Sequence, residues 1–307
     1  MNHIYLDYAA TTPIDTEVFE AMKPYFTEYF HNPSGVYSQA VAVQKVLADA
    51  RSSVANVLSA RPQEIVFFDG GTEANNQALL GSIREWKKSN PNKTPHVITT
   101  STEHSSIIEL CHHLEKTKEC NVDYLDVDRR GTISIKQLKT LINENTVIVS
   151  VSYANGEVGT IQDIKEVAKT VRQYKKKEGT LYPYVHTDAA QAAQFCNMNV
   201  LQLGIDFMTI TGSKIYGPKK IAALYIKNGT GIEPLLFGGD QESSLRPGTE
   251  NIPYIVGLAT ALTKVRNVQE QEHARQLELK TFFINEIKKD DSIIIIIQDF
   301  FTGIFGY

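Results

Sequence analysis

The chain has 307 residues, 42% of them hydrophobic and 21% charged, so it holds enough apolar material for a sizeable core, and a disordered or fibrous protein is excluded. A net charge of only −4 supplies no global basic field for nucleic acid or anionic lipid. The longest aliphatic run, residues 293–297, falls far short of the roughly 18 apolar residues of a membrane span, and the opening residues lack the basic and apolar segments of a signal peptide. No nucleic-acid or membrane partner and a cytoplasmic location are the expectations.

In chain order, two helices are expected first, over 16–30 and 38–58, separated by the turn-forming Asn32-Pro33-Ser34-Gly35. Short β-branched runs then alternate with amphipathic stretches, the pattern of an α/β sheet. Strands are predicted over 64–68, 96–100, 122–127, 147–153, 184–188, 207–211 and 222–226, several of them nearly continuous in apolar residues, as strands covered on both faces are. The intervening helices are placed at 74–88, 106–116, 135–142 and 164–177. The charge run Lys175-Lys176-Lys177-Glu178 reads as the end of the last of these and not as a binding patch. After Gly248 a long helix is expected, with Pro253 in its first turn and charged faces continuing to Lys289. A strand over 292–298 and an aromatic tail follow. That ending reads either as the opening of a second domain or as a final strand docked on the main sheet.

Four segments carry chemistry. In Phe67-Phe68-Asp69-Gly70-Gly71-Thr72-Glu73-Ala74-Asn75-Asn76, a strand runs through two glycines into a helix. The backbone of Gly71, the first helical amides and the Thr72 hydroxyl could cradle a phosphate, although such turns also arise on steric grounds alone. Asn155, in Ser152-Tyr153-Ala154-Asn155-Gly156-Glu157-Val158-Gly159, sits where ligands bind open α/β sheets, yet Asn-Gly is also an ordinary turn former. Asp188, in His186-Thr187-Asp188-Ala189-Ala190-Gln191, is either a buried acid in need of a cationic partner or the cap of a following helix. Lys214 follows the hydroxyl-rich Thr209-Ile210-Thr211-Gly212-Ser213 at a strand end, where a desolvated amine can form a Schiff base; surface lysines in loops are far commoner. A phosphate cradle, an acid and an amine at strand ends suit pyridoxal 5′-phosphate better than a nucleotide. Neither G-x-G-x-x-G after the first strands nor G-x-x-x-x-G-K-[ST] occurs.

The order of motifs then becomes specific. Tyr5-Leu6-Asp7-Tyr8-Ala9-Ala10-Thr11-Thr12-Pro13, Asn32-Pro33-Ser34, Gly71-Thr72-Glu73-Ala74-Asn75, Thr102-Glu103-His104, Asn155-Gly156-Glu157-Val158-Gly159, His186-Thr187-Asp188-Ala189-Ala190-Gln191, Gly212-Ser213-Lys214-Ile215-Tyr216-Gly217-Pro218-Lys219 and Arg246-Pro247-Gly248-Thr249-Glu250-Asn251 follow one another. Together they resemble the cysteine desulfurases of the class V aminotransferase group, from the first residues to about Lys280. The resemblance implies a fold type I large domain over 16–250, with a mostly parallel sheet flanked by helices. It implies an N-terminal segment, 1–15, packing with a small domain, and over 251–307 an incomplete start of that small domain. It also implies that Lys214 holds pyridoxal phosphate and moves the Cα proton, that Asp188 pairs with the pyridinium nitrogen, that His104 stacks on the ring and that Gln191 meets the phenolic oxygen. Thr72, Thr211 and Ser213 would hold the phosphate, Asn155 the substrate carboxylate, and Thr249 a partner subunit's cofactor, which implies a homodimer.

By the same resemblance the reaction takes L-cysteine, or a related small amino acid, to L-alanine. The sulfur passes as a persulfide to an acceptor protein for iron–sulfur cluster or thiolated-RNA synthesis. Departures are Ser213 for a usual histidine, Thr211 for serine, and Asp69, an anion beside a phosphate cradle that must point away or be paired. The family's mobile-loop cysteine and carboxylate-clamping arginine have no counterpart in the 307 residues, so impaired turnover is expected. Cys111, Cys120 and Cys196 are too widely spaced for a disulfide framework, and Cys111 beside His112 and His113 makes no metal site because adjacent helical residues point apart. Other enzymes of the fold, such as a selenocysteine lyase or a small-amino-acid aminotransferase, and a non-catalytic cofactor-binding scaffold are the competing readings.

Overall fold

The computed structural model describes residues 4–289; the expected strand at 292–298 lies outside them. Seven strands form one sheet: β1 (Ile65–Phe68), β2 (His96–Thr100), β3 (Asn121–Leu125), β4 (Thr146–Ser150), β5 (Tyr184–Asp188), β6 (Phe207–Thr211) and β7 (Ala222–Ile226). Their spatial order is β1-β7-β6-β5-β4-β2-β3, parallel from β6 through β3, with β7 antiparallel to both β6 and β1. The seven strands expected between residues 64 and 226 are all present, four of them with the predicted limits.

Around the sheet lie α1 (Thr16–Met22), α2 (Pro24–Thr27), α3 (Ser38–Leu58), α4 (Gly71–Ser89), α5 (Ser105–Lys116), α6 (Ile135–Leu141), α7 (Ile164–Glu178), α8 (Val200–Leu203), α9 (Ile252–Asn267) and α10 (Gln269–Ile287). Two expectations need correction. The single helix over 16–30 is two, because Pro24 has no N–H to continue the first and instead opens the second. The long helix after Gly248 breaks at Val268, whose backbone leaves the helical region (φ −103°, ψ 6°).

The period of two along each strand divides the core into two layers. Ile65, Phe67, Ile98, Val149, Val185, Met208 and Ala223 face a cluster shared with α3, α7 and α9. Val66, Phe68, Val97, Ile148, Phe207 and Leu224 face the other cluster, built with α4 and α5. Both faces are thereby covered, which is why these strands read as continuous apolar runs. The chain leaves β2 for β3 on one side and reaches β4 on the other, so the strand order reverses at β2, and the carboxyl ends beside such a reversal are where open α/β sheets bind ligands.

Candidate active site

The loops after β2, β4, β5 and β6, together with the start of α4, converge at those carboxyl ends. Gly70 makes the turn from β1 with φ +134°, a value side chains rarely tolerate. No side chain caps the first turn of α4, so its leading amides have no such acceptor. Thr72 is exposed at that helix start. A Cβ added at Gly71 would stand 3.8 Å from Thr209 Cγ2 and 3.9 Å from Thr211 Cβ, which places the cradle beside the hydroxyls after β6. Thr211 Oγ1 and Ser213 Oγ lie 3.4 Å apart. Asp69 is exposed, and Arg246 neutralises it at 2.8 Å while also reaching Glu73 at 3.4 Å.

Asp188 ends β5, buried. Neither sequence alternative describes it completely. Its Oδ1 accepts from the Ala190 N–H at 2.9 Å, as a cap would, but residues 189–196 form turns and no α-helix. Its Oδ2 accepts from the Asn75 side-chain amide at 2.7 Å. Two neutral donors stand in direct contact in place of the expected cationic partner, and sequence reasoning assigned Asn75 no role.

Lys214 occupies a short 3₁₀ turn directly after β6. Its half-buried amine donates to the carbonyls of Ala9 at 2.9 Å and Ala10 at 2.5 Å. Desolvation holds its pKa below the ordinary lysine range, opposed by the charges of Asp188 and Asp7. The Gln191 amide donates to the same Ala9 carbonyl at 2.9 Å. Thr12 and Asp15 bond to the backbone of Ser213 and Tyr216, so the described N-terminal residues run along the lysine turn.

His104 is the N-cap of α5; its ring is exposed, and Nδ1 accepts from the Ser106 N–H at 3.1 Å. His104 thus serves locally as a helix cap, and Ser106 links its ring to Asn75. Asn155 also serves its turn: Oδ1 accepts from the Glu157 and Val158 N–H groups, and Nδ2 donates to the Thr102 carbonyl at 3.1 Å, leaving one amide hydrogen. Thr249 is exposed in the loop before α9.

Glu103, for which sequence reasoning assigned no role, is buried between the β2 and β4 loops. Its Oε1 accepts from the Ser152 N–H at 2.7 Å and the Thr100 hydroxyl at 3.0 Å, while Oε2 has no partner. Burial pushes its pKa up to about 8, with Asp188 adding to the rise. Cys111, Cys120 and Cys196 are all buried, and desolvation pushes each thiol up to about 12. None offers a thiolate at neutral pH.

A doubly covered α/β sheet with an amine and an acid at neighbouring strand ends defines a class of cofactor-dependent lysine enzymes. The class-V aminotransferase family profile matches residues 4–299, and the chain belongs to that family. It is 40% identical over 286 residues to cysteine desulfurase IscS of Dictyoglomus turgidum, covering 93% of this chain and 70% of that one. It is 38% identical to a putative cysteine desulfurase, IscS 1, of Bacillus subtilis, over 94% of this chain and 73% of the relative. A solved NifS-like protein superposes with a TM-score of 0.88 at 31% identity, over 94% and 76% of the two chains. A structure described as SspA in complex with cysteine gives 0.81 at 34% identity, over 92% and 78%. The fold type I architecture and the dependence on pyridoxal phosphate read from the sequence both follow from this membership. The residues present fit that cofactor: an uncapped helix start beside two hydroxyls for the phosphate, a buried carboxylate for the ring nitrogen and a desolvated amine for the aldehyde. No described helix is long and apolar enough to cross a membrane.

Proposed function

We propose that this chain is a cysteine desulfurase-type protein that binds L-cysteine, or a related small amino acid, at a pyridoxal phosphate held by Lys214. The observation that carries the reading is the juxtaposition of Asp188, at the end of β5, with Lys214, three residues beyond the end of the adjacent parallel strand β6. Bound pyridoxal phosphate supplies an aldehyde for a lysine amine and a conjugated ring that accepts an electron pair from a bond broken at the substrate Cα. The protein's part is binding, orientation and proton movement. A depressed pKa leaves more of the Lys214 amine uncharged, able to bond the aldehyde and to take a proton from the substrate Cα. The Asp188 carboxylate, oriented by Asn75 and Ala190, would accept the ring N–H as a further hydrogen bond. Gly71, Thr72, Thr211 and Ser213 hold the phosphate, Gln191 meets the phenolic oxygen, His104 covers the ring face and the remaining Asn155 amide hydrogen meets the substrate carboxylate. Exposure of Thr249 suits contact with a second copy in a homodimer.

Borohydride treatment of cofactor-loaded protein followed by peptide mapping tests the assignment. The reduced adduct should sit on Lys214, and Lys214→Ala should lose both the adduct and the visible absorption band. An adduct on another lysine overturns it.

The buried thiols favour a second reading, in which these 307 residues bind cofactor and cysteine but release no sulfur unaided. The chain holds only three cysteines, and all three are protonated in the core. The sulfur-accepting thiolate must then come from outside these residues. Sulfide release from L-cysteine with dithiothreitol should be near background. Turnover like that of a full-length relative, persisting with Cys111, Cys120 and Cys196 all changed to serine, overturns this reading.

A further inference from the structure

A continuous hydrogen-bonded path joins the acid of the site to its histidine, and the direction of every bond in it is determined. The backbone N–H of Ser106 can only donate, and it donates to His104 Nδ1 at 3.1 Å. Nδ1 therefore carries a lone pair and no proton. The Ser106 hydroxyl, 2.9 Å from the same nitrogen, must then donate its hydrogen there as well. That leaves Ser106 Oγ as an acceptor, and Asn75 Nδ2 donates to it at 2.9 Å. The second hydrogen of the same amide goes to Asp188 Oδ2 at 2.7 Å. The amide orientation is settled by this carboxylate, since the reverse would set Asn75 Oδ1 against an anion. Asn75 and Ser106 are both buried, at 1% and 7% exposure, so water does not compete for the two bonds that Asn75 donates.

The cost of the arrangement is visible. Asn75 Oδ1 is buried with no partner. A buried orphan acceptor is unfavourable and persists where something else fixes the group. Here both amide hydrogens are committed, one to each end of the path.

Resting on the cofactor site proposed above, we infer that Asn75 and Ser106 are positioning residues that hold the neutral His104 ring as its Nε2–H tautomer and tether that ring to Asp188. Nδ1 faces two donors, so the only nitrogen His104 can offer to a bound molecule is Nε2, and it offers it as a proton donor. The same amide that directs the serine hydroxyl also fixes one oxygen of the carboxylate that meets the cofactor ring. Acid and histidine are thereby set in register by one amide side chain, which stands 113 residues before Asp188 in sequence.

Long-range ¹⁵N–¹H correlation spectra of protein labelled at histidine, with His104 assigned by loss of its signals in His104→Gln, read the tautomer directly. In the unsubstituted chain His104 should show a proton-free Nδ1 and a protonated Nε2. Ser106→Ala removes one of the two donors to Nδ1, and the Nδ1–H form should rise about fivefold, the equivalent of one ordinary hydrogen bond. Ser106→Thr, which keeps the hydroxyl, should restore the original ratio, an outcome that a merely structural role for Ser106 does not require. Asn75→Ala, by releasing the hydroxyl from its orienting donor, should move the ratio in the same direction as Ser106→Ala. A protonated Nδ1 in the unsubstituted chain, or a ratio unmoved by Ser106→Ala, overturns the inference. Borohydride adducts on Lys214 in the same samples keep the two questions apart: a missing adduct strikes the cofactor assignment, whereas an unmoved tautomer with the adduct in place strikes only the path.

Discussion

The strand tips around Asp188 and the helix α10 invert the usual placement of side chains in opposite senses. At the tips, Glu103, Asp188, Asn75 and Thr211 are buried although polar. On α10 the apolar Leu277, Leu279, Phe282 and Phe283 are exposed, the two phenylalanines at 63%, and no residue of that helix is buried among the described residues. α9, only one residue upstream, is by contrast docked through Ile252, Ile255, Leu258 and Leu262 against α1 and α3. Buried polar groups must be satisfied by neighbours and so report a tightly specified environment; exposed apolar ones specify nothing within the described chain. The chemistry of this protein is concentrated where polar groups are costly to hold, and α10 contributes little to holding them.

The sharpest way to break that contrast is through Glu103. Its pKa stands near 8 in the folded state against 4.5 for an ordinary glutamate, chiefly through desolvation. Between those values the folded protein retains a proton that the unfolded chain has lost, so stability falls as pH rises through the window and levels off above about 8. The full difference is on the order of 5 kcal/mol, at roughly 1.4 kcal/mol per pH unit. Glu103→Gln should remove this slope and leave the variant relatively more stable at pH 8 than at pH 4.5, as measured by urea unfolding across the range. Parallel pH profiles for the two proteins would show that the buried tip is not electrostatically costly.

The smallest effect belongs to α10. Phe282→Ser removes an exposed ring and should change unfolding free energy by no more than about 0.5 kcal/mol. A loss of about 2 kcal/mol or more would mean that the ring is covered in solution and that α10 belongs with the packed elements.

Much of the site was legible in advance because its parts are local. A strand ending in a polar turn identifies itself by composition, and Asp188 and Lys214 each follow such a run at the expected position. The Pro24 break and the interruption at Val268 escape a local reading because helical residues continue on both sides of each. The role of Asn75 was illegible for a different reason. It lies on the buried side of α4 amid Ala74, Ala78 and Leu79, where a polar residue has no local partner to reveal its purpose. Ser106 is equally silent, two residues beyond a histidine whose ring turns back to it.

Local pattern suffices to show which segments are strands, that both faces of them are covered, and which strand ends carry an amine, an acid and hydroxyls, because hydrophobic period and turn chemistry are properties of neighbouring residues. Only the tertiary structure decided that β7 runs antiparallel between β1 and β6 and that the strand order reverses at β2. It alone brought Asn75 to Asp188 and removed all three cysteines from solvent. A covered strand presents the same apolar run whichever strand lies beside it, so pairing, and every contact that depends on pairing, is fixed by packing across distances that local pattern does not encode.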